Sequence, residues 1–177
     1  MTNLKELTWE EHKNAERQAF VKELMGGISK QRYADFLHAL HPQYHLLESF
    51  AKLHNLLDVE IAPNIYADFH ELCEQLEDYK PTEYPVVKEY MDHIMSIKDD
   101  PHKLMAHIYV RHMGDLSGGQ MIAKRVPGST KFYQFDEDVD VLKDKIRTRL
   151  DDSMAEEAKI CFNFATELFK QMAVSNN

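Results

Sequence analysis

Cysteine is scarce: Cys73 and Cys161 are the only two in 177 residues, far apart and outside any CxxC pattern. That excludes a disulfide framework and a thiolate metal site and leaves two small packing residues. Positive charge is also short. With 21 lysines and arginines against 30 aspartates and glutamates, the formal net charge is -9, which argues against a nonspecific nucleic-acid partner. No run of residues has the length and apolarity of a membrane span or a secretory signal, so the chain reads as a cytoplasmic protein with no membrane partner. Internal repeats and low-complexity segments are missing, and β-branched alternating runs are few. What is present is helical periodicity over nearly the whole length. The composition, 44% hydrophobic and 29% charged, is that of one ordinary globular domain, residues 1–177. The fold class is all-α.

The periodicity predicts a first helix from Leu4 to about Leu24, stopped by Gly26-Gly27, and a second from an N-cap at Ser29 to Leu57. Pro42 lies inside that second helix and predicts a kink or a split, because proline lacks the donor and crowds the preceding turn. Further helices are expected at about Asn64 to Tyr79, Pro85 to Ile97, Pro101 to Arg125 and Asp138 to Met172, with Val126 to Asp136 as the clearest loop. Near the N-terminus, Thr8 and Glu11 fit a capping box that would start the first helix late. Lys5 and His12, seven apart, share a face only if it begins near Thr2, and the earlier start is expected.

Three of the six glycines fall inside Gly114-Asp115-Leu116-Ser117-Gly118-Gly119-Gln120, within the stretch that otherwise reads as helix. A glycine in a helix interior costs roughly 0.5–1 kcal/mol relative to alanine, so a cluster marks a bend or a close approach to a ligand. Gly114 and Gly118, four apart, share a face, and Gly119 widens the bare strip. Asp115 sits at its border, where a carboxylate could organise water beside a planar ligand. A plainer reading is a glycine kink for close helix packing, which a lone GxxxG would favour. Leu116 to Gln120 also spells LSGGQ, the signature of ABC-type ATPases, but no GxxxxGK[ST] loop accompanies it. His12 is one of ten histidines, and spacing alone does not make it a ligand.

The GDLSGGQ run preceded by Tyr109-Val110-Arg111-His112-Met113, together with Thr8-x-x-x-His12-x-x-Ala15-Glu16, resembles the haem oxygenase family. The likeness extends over most of the chain: Tyr44 and Glu48, the basic run Lys143 to Arg149, Glu156-Glu157-Ala158-Lys159 and Phe162 follow in the same order. It implies a single all-α helical bundle with haem sandwiched between a proximal helix and a kinked, glycine-rich distal helix. By the same likeness His12 is the proximal iron ligand, oriented by a hydrogen bond toward Glu16. Gly114 and Gly118 would lie over the distal face, with Gly119 beside them. Asp115 would hold a proton-delivering water network, so that losing its carboxylate switches the reaction toward peroxidase-like chemistry. Phe162 aligns with an aromatic near the haem.

Haem propionates need cationic partners at the pocket mouth. Lys143 and Arg147, four apart on one helical face, fit that need, and the resemblance adds Lys5 and Tyr109. Lys145 and Arg149 read as a solvated basic face. The implied reaction is oxygen-dependent opening of haem to biliverdin with release of carbon monoxide and ferrous iron, haem serving as substrate and cofactor with O2. The alternative is a non-catalytic haem-storage protein on the same fold. Because the sequence has no flavin or iron-sulfur motif, electrons have to come from an external donor. A ferredoxin is expected and a flavoprotein reductase is the other possibility, with an acidic donor docking on Lys124, Arg125 and Lys131. A downstream bilin reductase is a further implied partner.

Overall fold

The computed structural model describes the backbone of residues 2–175 and side chains through residue 173. Its helices are α1 (Leu4–Leu7), α2 (Trp9–Glu16), α3 (Ala19–Met25), α4 (Lys30–Leu53), α5 (Ala62–Glu74), α6 (Pro85–Ser96), α7 (Pro101–Ala123), α8 (Val139–Arg147) and α9 (Ala155–Ser175). Two 3-10 turns, Lys131–Tyr133 and Asp152–Met154, complete the elements, and no strand occurs among the described residues. None of the helices is long and apolar enough to cross a membrane.

The first expected helix is three short ones. Helical turns do begin at Leu4, but Thr8 steps out of the helix with φ -111° and ψ 11°. Its hydroxyl donates back to the Leu4 carbonyl at 2.8 Å, so it does not cap α2 and no capping box forms. A second break falls at Gln18, whose extended backbone (φ -65°, ψ 145°) starts α3 on a new course and lets Phe20 and Leu24 enter the core. Gly26 and Gly27 end α3 as expected, Gly27 with φ +95°, a conformation open to glycine at no steric cost.

Ser29 caps α4 by accepting from the Arg32 N–H at 3.1 Å. Pro42 does not split that helix, which is assigned α-helical from Lys30 to Leu53. It lines a surface groove of about 290 Å³ with His38, His41, Tyr66 and Phe69, so the lost backbone donor lies beside solvent rather than in the core. The last expected helix is divided as well. Asp151 accepts from the Ser153 N–H at 2.9 Å and from His102, and this local competition with the helical ladder separates α8 from α9.

The long helix α4 runs through the middle of the bundle and packs on α5, α6 and α7, while α9 packs on α2, α3, α6 and α7. Tyr33, Phe20 and Phe132 are fully buried on the α3 to α5 side, and Tyr90, Ile94 and Leu104 on the α6 to α7 side. Each such side chain contributes roughly 1.5–3 kcal/mol on leaving water. Both α2 and α7 therefore rest on α9, which forms a shared wall for whatever lies between them.

Candidate active site

Helix α7 carries the glycine segment. It starts where Asp100 accepts from the Lys103 N–H at 3.1 Å and Pro101 fills the first turn. The backbone stays α-helical through Gly114, Gly118 and Gly119, and the positive-φ glycines are Gly27 and Gly128 instead. What the α7 glycines supply is thus a missing side chain rather than an unusual dihedral. A Cβ placed at Gly114 or Gly118 would meet no other atom within 4 Å, so both face open space. Gly119 is placed differently. A Cβ there would come within 2.6 Å of Tyr133 Cδ1, so its bare face is filled by that ring and explained by packing rather than by a ligand. Gln120 reinforces the contact by donating to the Tyr133 carbonyl at 3.0 Å.

The turn that brings Tyr133 there is anchored from α5. Asp68 accepts from the N–H groups of Lys131 (3.0 Å) and Phe132 (2.9 Å), and Glu71 holds Ser129. Thr130 sits in the left-handed region at φ 54°, an uncommon place for a β-branched residue. These carboxylates over-determine it.

Asp115 lies on the same helix, and the Tyr44 hydroxyl of α4 donates to its Oδ2 at 2.7 Å. Burial pushes the Asp115 carboxyl up to about 7, against the Tyr44 hydrogen bond and the nearby His112 and Arg111, which pull it down. A carboxyl balanced near neutrality can hold a proton and give it up at ordinary pH. The neighbours of Asp115 are fixed in turn. Arg111 donates to Gln43 Oε1 at 3.3 Å and lies over the rings of Tyr90 (4.6 Å) and Tyr44 (6.0 Å). His112 Nε2 is 2.8 Å from Glu48 Oε2, and Glu48 also accepts from the N–H groups of Ile61 and Ala62, starting α5 two residues before the expected position. Glu48 thus ties α4, α5 and α7 together.

On the other side, His12 of α2 is half-buried, with Nε2 2.7 Å from Glu16 Oε1. Its ring stacks on Phe162 of α9 at 5.2 Å and 18°, and Trp9 meets it edge-on at 5.7 Å. The structure therefore brings His12, Glu16 and Phe162 together. One ring nitrogen is thus engaged with Glu16, which orients the imidazole. Leu7 and Trp9 stay exposed within the same segment.

The cationic set is less uniform. Tyr109 of α7 is half-buried and lies near Thr8 at the α1–α2 junction. Lys5 is exposed and Lys143 half-exposed, and neither forms an ion pair with a described residue. Arg147 donates to Asp144 at 2.8 Å, a surface pair that another anion can displace at little cost. Lys145 and Arg149 are committed elsewhere, to Glu137 at 2.7 Å and Asp58 at 3.0 Å. Lys124, Arg125 and Lys131 are exposed near the end of α7.

The structure is thus an all-α bundle with a half-buried imidazole on one short helix and bare backbone beside a carboxyl on a long one. The Heme oxygenase family model matches residues 1–171. A haem oxygenase of Pyropia yezoensis is 30% identical over 98% of this chain and 85% of its own length. The structure of haem oxygenase from Leptospira interrogans superposes with a TM-score of 0.82 at 28% identity, covering 94% of this chain and 96% of that one. Haem oxygenase-2 from Synechocystis, solved in complex with haem and NO, gives a TM-score of 0.71 at 27% identity over 97% and 84% of the two chains. The chain belongs to the haem oxygenase family, whose members open haem to biliverdin.

Proposed function

We propose that this protein binds haem between α2 and α7 and opens it, with O2, to biliverdin, carbon monoxide and ferrous iron, using electrons from an external donor. The observation that carries this reading is the open space over Gly114 and Gly118 next to a half-buried carboxyl pushed up to about 7, on a helix whose other face is packed into the bundle. The donor set suits haem: an imidazole for iron, and for propionates cations that are exposed or held only by a surface pair. His12, oriented by Glu16 and backed by Phe162, would hold the iron, and Lys5, Tyr109, Lys143 and Arg147 would hold the propionates. When bound, haem supplies the iron that activates dioxygen and the ring carbon that is oxidised.

The chain's own residues have three tasks. Gly114 and Gly118 keep the distal space free of side chains, so a planar ligand can lie against the backbone. Asp115 stores a proton, and the Tyr44 hydroxyl holds the carboxylate in one orientation and favours its ionised form. Glu48 and Arg111 fix the helices on which those groups stand, so the proton store does not drift.

A ferredoxin suits the donor role, since an acidic protein would find Lys124, Arg125 and Lys131 exposed on an otherwise acidic surface. A flavoprotein reductase is the other donor class, and a bilin reductase would consume the product in a shared cytoplasmic compartment. The test is incubation of the hemin-loaded protein with reduced ferredoxin in air, followed by chromatography of the pigment. Biliverdin with one equivalent of carbon monoxide supports the reading. A Soret band that persists while no bilin forms would mark haem storage instead.

A further inference from the structure

Away from the cleft, three helices deliver metal-ligating side chains to one point. His93 of α6, His107 of α7 and Glu157 of α9 each offer a ligand atom, all within 4.8 Å of one another. Both imidazoles converge on the same oxygen: His93 Nε2 lies 2.5 Å and His107 Nε2 2.8 Å from Glu157 Oε1. Glu157 Oε2 takes no hydrogen bond from the described residues. The outer nitrogen of His107 is also specified, with Nδ1 2.8 Å from the Tyr90 hydroxyl, an arrangement that fixes how the ring presents Nε2. His107 is fully buried, whereas the His93 and Glu157 side chains keep 23% and 11% of their surface exposed, so an ion has a route from solvent. Phe164 and Tyr90 wall the other side.

We infer that His93, His107 and Glu157 form a binding site for a divalent first-row transition ion of the Zn²⁺ or Fe²⁺ type, separate from the haem cleft. Two imidazoles and one carboxylate are the donor set that such ions accept while keeping further positions for water. Binding replaces the two N–H···O contacts by two N–metal bonds and one O–metal bond, and any protons displaced from the ring nitrogens pass to solvent. No electron transfer is involved. Because the three ligands come from α6, α7 and α9, the ion would cross-link the helix carrying Asp115 to α6 and α9. This site stands whether or not the chain turns haem over.

Calorimetric titration of the full chain with Zn²⁺, with and without hemin, tests it. The expected result is one ion per chain in both cases and a rise in unfolding temperature with added Zn²⁺. His93→Ala, at a half-buried position, and Glu157→Gln should each weaken binding at least about tenfold and abolish that rise, as loss of a ligand should cost no less than loss of a ligand's supporting hydrogen bond. His12→Ala, at the cleft, and His41→Ala, on the groove beside Pro42, should leave the affinity unchanged. Co²⁺ in place of Zn²⁺ should show visible absorption in the parent chain and none in His93→Ala. Absence of stoichiometric Zn²⁺ binding in the parent chain, or binding that survives His93→Ala and disappears in His12→Ala or His41→Ala, would overturn the assignment.

Discussion

The segment carrying His12 and the helix carrying Asp115 are held in place by different means. Helix α2 has eight residues, breaks from its neighbours at Thr8 and Gln18, and fixes His12 through a surface pair with Glu16 and a stack on Phe162. Helix α7 has 23 residues and is pinned by a buried contact, Glu48 to His112, by a half-buried one, Tyr44 to Asp115, and by the Tyr133 ring against Gly119. Exposed ion pairs contribute about 0–1 kcal/mol, whereas breaking a buried one costs roughly 3–5 kcal/mol. The α7 side is therefore held more firmly than the α2 side.

The sharpest way to break that contrast is at Glu48. Glu48→Ala leaves His112 and the Ile61 and Ala62 N–H groups without their acceptor, and it should destabilise the protein by roughly 3–5 kcal/mol in denaturant unfolding. A loss below about 1 kcal/mol would mean that α7 is not held by this carboxylate. Next comes a pair of glycines. Gly119→Ala should cost about 1–3 kcal/mol, because its Cβ drives into the Tyr133 ring. Gly118→Ala should leave the ligand-free protein as stable or up to about 1 kcal/mol more so, while lowering hemin affinity. Equal stability effects at the two positions would erase the distinction between packing and ligand faces.

The Asp115 carboxyl gives a pH signature. Its folded value, near 7, lies above the ordinary carboxylate range, so its contribution to stability is complete below about pH 4 and is lost as pH rises through about 7. Asp115→Asn should flatten that loss. Tyr44→Phe removes a donor that favours the ionised form, so the midpoint should move upward in pH, at a stability cost of about 1 kcal/mol. A midpoint that stays put would separate Tyr44 from the proton store. The last comparison is the ring stack on the His12 side. Phe162→Ala should cost about 0.5–1.5 kcal/mol beyond lost burial, read in thermal unfolding, and should broaden the environment of His12 seen by its imidazole NMR signals.

Much of this contrast was legible in local sequence. The starts of α4, α6 and α7 follow from Ser29, Pro85 and Asp100-Pro101, and the glycine cluster marks the distal segment because bare backbone inside a helix needs a reason. The motifs singled out His12 and Asp115, which the structure sets on α2 and α7. The breaks at Thr8 and Gln18 were not, since neither carries glycine or proline and both depend on what α2 and α3 pack against. The capping-box pattern at Thr8 pointed to a side-chain cap, but the hydroxyl bonds backward to Leu4 instead. Gly119 looked like part of the ligand strip because the Tyr133 ring arrives from a loop 14 residues on, which one-dimensional spacing does not show. Tyr44 and Asp115 stand 71 positions apart and Glu48 and His112 64 apart, so their pairing exists only once α4 and α7 are packed.

The central claim is that His12 and the open face of Gly114 and Gly118 grip one haem between them. Hemin titration of His12→Ala beside the parent chain, followed by added imidazole, tests it most directly. The account predicts a 1:1 complex with an imidazole-type spectrum in the parent, loss of that spectrum in the variant, and its return when imidazole fills the gap. An unchanged spectrum in His12→Ala would contradict it.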